Sequence, residues 1–214
     1  MANFRTRVDD LTAFTTTDDT ALADWLAEGC KVIINEMPQS MLVEVSNESS
    51  AFAPTTGLET GKVILGVTRM TAASNGITYQ CRPISMNIRN EAQDENHILY
   101  ATETDPVYFI ESQSSGNPFV KILPISSLNL AKVTSVEYPT PAVTDSAITR
   151  FPNKYEYLVV LYAAVKAVEQ LLATEEDVDL YIPMLKNLKQ DYATGLVELK
   201  PQQPQVQARA QARR

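Results

Sequence analysis

The chain has 214 residues, long for one core and short for two, and its 44% hydrophobic and 21% charged residues exclude wholesale disorder. A formal charge of −8 argues against a nucleic-acid grip over the whole surface, which needs clustered Lys and Arg. Seven glycines exclude collagen-like material.

In chain order, FRTRVDDLTAFTTT is Thr-rich and reads as a poorly ordered or partner-bound arm. ALADWLAEGCKVIINEM follows over residues 21–37, with Leu22, Trp25, Leu26, Cys30, Ile33, Ile34 and Met37 at three- and four-residue steps, the spacing of an amphipathic helix. Asp18, Asp19 and Thr20 offer caps at its positive end, and Pro38 ends it. MLVEV is open between a short helix and a strand. Residues 46–60, rich in Ser, Thr, Glu and Pro, read as a loop.

The period then changes to two. GKVILGVTRMT and ITYQCRPI read as strands joined at Asn75-Gly76, and PVYFIESQ and PFVKILPI as a hairpin around SSGN at 114–117. NEAQDENH, residues 90–97, reads as polar and exposed, and LAKVTSVEY, 130–138, as a further strand. A third section is helical. Pro152 suits a first turn, and YEYLVVLYAAVKAVEQLLAT is apolar nearly all round for two turns. Such a helix is either a fully buried core helix of its own chain or a face packed on another subunit. A last helix runs from about Pro183 to Lys200 with Leu185, Leu188, Tyr192, Leu196 and Leu199 on one stripe; Pro183 sits in its first turn or kinks it. The end, PQQPQVQARAQARR, holds too little apolar surface to order by itself and carries Arg209, Arg213 and Arg214.

These elements predict an α+β protein in which helical sections bracket an inserted antiparallel β region, with a disordered C-terminal tail. The expected organisation is an N-terminal arm and first helix over 1–45, a β-rich insertion over 46–142, C-terminal helices over 143–200 and a flexible basic tail over 201–214.

Reactive chemistry finds little support. His97 is the only imidazole, lies between charged residues and has no GxSxG elbow near it, so it reads as exposed and idle. Glu91, Asp94, Glu95 and His97 lack the spacing and the turn glycine of a calcium loop. The acids Glu175, Glu176, Asp177 and Asp179 suit a helix N-terminus better than a carboxylate active site. Gly61-Lys62 is followed by Val63 and a strand, which is no phosphate loop. Cys30 and Cys81 are far apart and read as buried, reduced thiols that suit a reducing cytoplasm. The N-terminus has no apolar signal region, and the longest apolar stretch, about nine residues, is short of a ~20-residue membrane span. No catalytic residue, metal site or cofactor is expected.

Residues DWLAEGCKVIINEMP, RFPNKYEYLVVLYAAVKAVEQLL and LKNLKQDY, with PVYFI and the proline-containing VKILPIS between them, resemble the head-to-tail adaptors of tailed bacteriophages, also called connector or neck proteins. The resemblance covers most of residues 20–193. It implies a virion structural protein with a helical-bundle core and an inserted antiparallel β region, assembled in the host cytoplasm, whose copies form a ring, twelve-fold in such proteins. The implied partners are the portal protein above, a tail or neck protein below and further copies of the chain, with DNA passing through the channel without specific binding and no membrane involved. It places the C-terminal segment, here with Arg209, Arg213 and Arg214, against the portal. A tail terminator or stopper is the alternative virion part.

Overall fold

In the computed structural model the chain is helical from Phe4. The structure describes residues 2–16, 18–60, 63–71, 76–112, 118–128, 130–174, 179 and 181–199. Asn3 caps helix α1 (Phe4–Thr12) by accepting the Thr6 N–H at 2.9 Å, and Ala13, left-handed at φ 56°, ends it. Phe4, Val8 and Thr12, four residues apart, form its buried stripe. The backbone N–H groups of Phe4 and Arg5 donate to the carbonyls of Asp145 and Val143 at 2.9 and 3.1 Å. The expected loose arm is therefore a docked helix.

Helix α2 (Asp19–Glu36) starts where the caps predicted, the Asp18 carboxylate accepting from Thr20 and Ala21, each at 3.0 Å. Helix α3 (Glu156–Thr174) follows a 3-10 turn over Asn153–Tyr155, and helix α4 spans Tyr181–Leu199 with Pro183 in its first turn. The all-round apolar surface of α3 is used inside the chain, since α1, α2 and α4 all pack on it. Leu158, Val159, Val160, Ala163, Ala164 and Val168 are buried, each worth roughly 1.5–3 kcal/mol for the larger side chains. Two glycines permit the close approaches: a Cβ at Gly29 of α2 would sit 3.1 Å from Tyr162, and one at Gly195 of α4 would overlap Leu158 and meet the Tyr157 hydroxyl at 2.8 Å.

The segment after α2 turns at 38–45, so MLVEV is neither helix nor strand. Strand β1 (Ser46–Glu48) then opens a β unit whose other strands are β2 (Leu58–Glu59), β3 (Ile64–Met70), β4 (Thr78–Gln80), β5 (Arg82–Pro83), β6 (Val107–Ser112), β7 (Pro118–Leu123) and β8 (Ala131–Val136). One sheet has the order β1-β8-β3-β4 and is antiparallel; the other has the order β2-β7-β6-β5, with β5 parallel to β6. Arg82 on β5 donates twice to the Asp105 carboxylate, at 2.9 and 2.8 Å, just ahead of β6. Residues 46–60, expected as a loop, hold β1, β2 and a bridge from Phe52 to Ala131. The turn at Asn75 and the SSGN turn lie outside the described residues.

The two faces of β6 go to two different cores, as the two-residue period dictates. Tyr108 joins Val67, Val120, Ile122, Ala131 and Val133 between the sheets. Val107 and Phe109 join Leu123 on the opposite face, which Ala92 and Ala101 cover. The segment 90–97 is thus only partly solvated: short 3-10 turns at Met86–Ile88 and Glu91–Gln93 fold it over the sheet.

The expectation of a helical-bundle core is corrected. The described residues form an α+β protein with four α-helices and two four-stranded sheets. They divide into two compact units, one of residues up to Val45 with those from Tyr138 on, the other Ser46–Glu137. The physical reason is that the β residues are no appendage to a bundle: alternation along β3, β6, β7 and β8 gives them two buried apolar clusters of their own. The tail with its expected disorder lies outside the described residues.

Candidate functional site

The β unit carries a cleft of about 360 Å³ on the face of the second sheet. Cross-strand neighbours build it. Phe109 of β6 lies opposite Lys121 of β7, and Glu111 opposite Phe119, so one face offers an aromatic ring, a cation and an acid side by side. Phe109 and Leu123 are buried and make the apolar base, while Ile125, just past β7, is 61% exposed at the rim. The 3-10 segment contributes Arg89, whose guanidinium lies 3.4 Å from the Glu111 carboxylate. Lys121 donates to the carbonyls of Thr56 and Thr55 at 3.0 and 3.4 Å, fastening the 54–56 turn to the sheet. An apolar base of this kind suits an apolar side chain; with Arg89 met by Glu111 and Lys121 held by two carbonyls, the charges around it sum to one positive.

The residues singled out from sequence are placed as follows. His97 accepts the Leu99 N–H on Nδ1 at 3.2 Å, and its Nε2 stands 3.8 Å from Glu91. Asp94 caps its own turn, accepting from the Asn96 N–H at 3.0 Å. Among the described residues no group of three or more His, Cys, Asp or Glu side chains could hold a metal ion. Asp179 is exposed, while Glu175, Glu176, Asp177, Gly61-Lys62, Arg209, Arg213 and Arg214 lie outside the described residues.

Cys30 and Cys81 are buried free thiols. Burial pushes each from an ordinary 9.0 up to about 12, with nearby Arg69 pulling Cys81 the other way. Folded protein at pH 8 should therefore leave a thiol reagent unreacted and release two equivalents on denaturation; two fast-reacting thiols in the native state would contradict this. The same shift has a sign: above pH 9 the unfolded chain loses thiol protons that the folded chain keeps, so these groups cost stability as pH rises from 9 toward 12.

Sequence reasoning missed Arg69. It shares the inner face of β3 with Val67, is 1% exposed, and its Nη2 stands 3.6 Å from Glu103, while Nε and Nη1 have no hydrogen-bond partner among the described residues. The two-residue alternation in VTRM was the available signal. The cleft had none, because it joins the 54–56 turn, the 89–93 segment and the β6–β7 pair.

In the helical unit, a second cleft of about 250 Å³ lies between Phe14, Thr16 and Asp18 on one side and Ala167 of α3 on the other. Asp18, which lines it, already has its carboxylate engaged in capping α2. Among the described residues no helix is long and apolar enough to cross a membrane. In comparison with known proteins, the chain matches no protein-family model and no curated protein.

Proposed function

We propose that the chain is a structural subunit of a tailed-bacteriophage virion: a head-to-tail adaptor whose copies form a ring between portal and tail through which DNA passes. The observation that carries this reading is the placement of exposed apolar side chains on an acidic chain. Among the described residues most of the large ones, including Ile77, Ile98, Ile125 and Leu128, belong to the β unit, while α3 is satisfied by its own chain. Contacts between copies then belong to the β unit and not to α3. The segments that resemble adaptors fall on packed elements, namely α2, α3, α4 and the β6–β7 pair.

The charge of −8 suits a conduit for DNA. Each phosphate contact would slow transit, whereas carboxylates repel phosphates over about 8–10 Å at physiological salt. The arginines of the tail are the anchor for the portal. Truncation after Lys200 is expected to leave a folded chain that no longer binds purified portal protein of the same virion; portal binding that survives the truncation would remove the tail from this role. Electron micrographs of the full chain with portal should show rings stacked on the portal, and free, unstacked chain would remove the adaptor reading itself.

A further inference from the structure

Single exposed apolar side chains are ordinary on protein surfaces. Ile98 differs because of how it is held and what lies beside it. It is 95% exposed. Successive turns support it: the His97 N–H donates to the Asp94 carbonyl at 2.9 Å, the Tyr100 N–H to the His97 carbonyl at 3.0 Å, and the Ala101 N–H to the Ala92 carbonyl at 2.9 Å. A β-branched side chain on such a braced loop loses little freedom when it is covered. Exposed Asp94 and Glu95 precede it on the same loop, so the loop carries one greasy knob and two carboxylates.

The same unit carries the matching hole. The cleft has an apolar base, Ile125 at its rim, and the cations Arg89 and Lys121 against the single acid Glu111. It takes an isoleucine in size, and its charge is opposite to that of the 94–98 loop. From these two surfaces we infer that the occupant of the cleft is a second copy of this chain: Ile98 of one copy seats against Ile125 and Phe109 of another, with Asp94 and Glu95 facing Arg89 and Lys121. The knob loop follows directly on Gln93, which lines the hole, and each copy carries one of each, so one copy can give and the next receive. Repeated around an axis such a contact closes a ring; exchanged reciprocally it makes a pair. The inference rests on the ring reading above and names the contact that would build it.

The test uses the full-length chain as wild type, Ile98→Asp, Ile125→Asp and an equimolar mixture of the two variants. Sedimentation velocity up to millimolar concentration and electron microscopy give the readout, and circular dichroism confirms folding. Both positions are exposed, so neither change should unfold the chain. The wild type is expected to associate, and each variant to need at least about tenfold more protein to do so, as for a central contact residue. The mixture should recover pairing, because Ile98→Asp keeps the hole and Ile125→Asp keeps the knob. Rings that persist unchanged in both variants would overturn the contact and leave the ring reading standing. Pairs without rings, lost in Ile98→Asp, would keep the contact and remove the ring. A wild type that stays monomeric throughout overturns the contact and leaves the ring reading to the portal experiment, and a mixture that fails to recover overturns the contact.

Discussion

Replacing Phe4 with alanine is expected to cost about 3–5 kcal/mol of stability, the usual range for deleting a buried aromatic ring. Phe4 is wholly buried only four residues from the start of the chain, and its ring also carries the Arg7 guanidinium 5.1 Å from its centre. Truncation leaves a cavity under α1 and weakens its seat, whose other anchors include Val8, Thr12, the Arg7–Glu156 pair and the two backbone bonds to 143–145. For a chain of this size the loss should lower the melting temperature by on the order of 10 °C. The control is Leu11→Ala on the same helix: Leu11 is 40% exposed and should change stability by no more than about 0.5 kcal/mol. Equal, small effects at both positions would mean that α1 is not part of the folded unit.

Removal of the Glu156 carboxylate has the next largest expected effect. Glu156 opens α3, is 5% exposed, accepts the Ile148 N–H at 2.7 Å and lies 3.5 Å from the Arg7 guanidinium. One side chain thus ties α3 to the segment before it and to α1. Glu156→Ala strands a buried N–H and a half-buried cation, at a cost of about 2–4 kcal/mol. Glu156→Gln keeps an acceptor for Ile148 and loses only the charge, so it should fall between alanine and wild type. Denaturant titration of the three proteins reads the order directly. Glutamine as damaging as alanine would assign the whole effect to the Arg7 pair, and an alanine variant of native stability would dismiss the tie.

The long elements were legible because their apolar spacing is repeated many times. Helix α2 declares itself over Leu22, Leu26, Cys30 and Ile33, and the caps at Asp18 and the break at Pro38 bound it. Strands β3, β6, β7 and β8 show alternation over six or seven residues. Helix α1 escaped because nine residues with only Phe4, Val8 and Leu11 as bulky apolar side chains carry too little pattern; tertiary burial decides it. Strands β1 and β2 have three and two residues, and their partners β8 and β7 are distant in sequence, so no local window contains the evidence. For α3 the spacing left two outcomes open, an inner helix or a subunit face, and the packing of three other helices selects the first. The helical-bundle core is what the resemblance to adaptors implies, not what the residue spacing requires. It failed because the β residues bury their own side chains on both faces of a sheet. The candidate cleft was illegible for a related reason: Arg89, Phe109 and Lys121 meet only after three segments have folded together.

The pairing of β1 with β8 has a consequence for modularity. Ser46 lies in register with Val136, so the chain enters and leaves the β unit on neighbouring strands, a separation of about 5 Å. The sheet itself fastens those two ends. For the helices, everything between Val45 and Tyr138 then behaves thermodynamically as a tight connection, because the entropy of closing so long an excursion is met inside the excursion. Residues 46–137 can therefore lengthen, shorten or exchange their surface turns, and with them a choice of neighbours, while the helices keep the same two points of attachment.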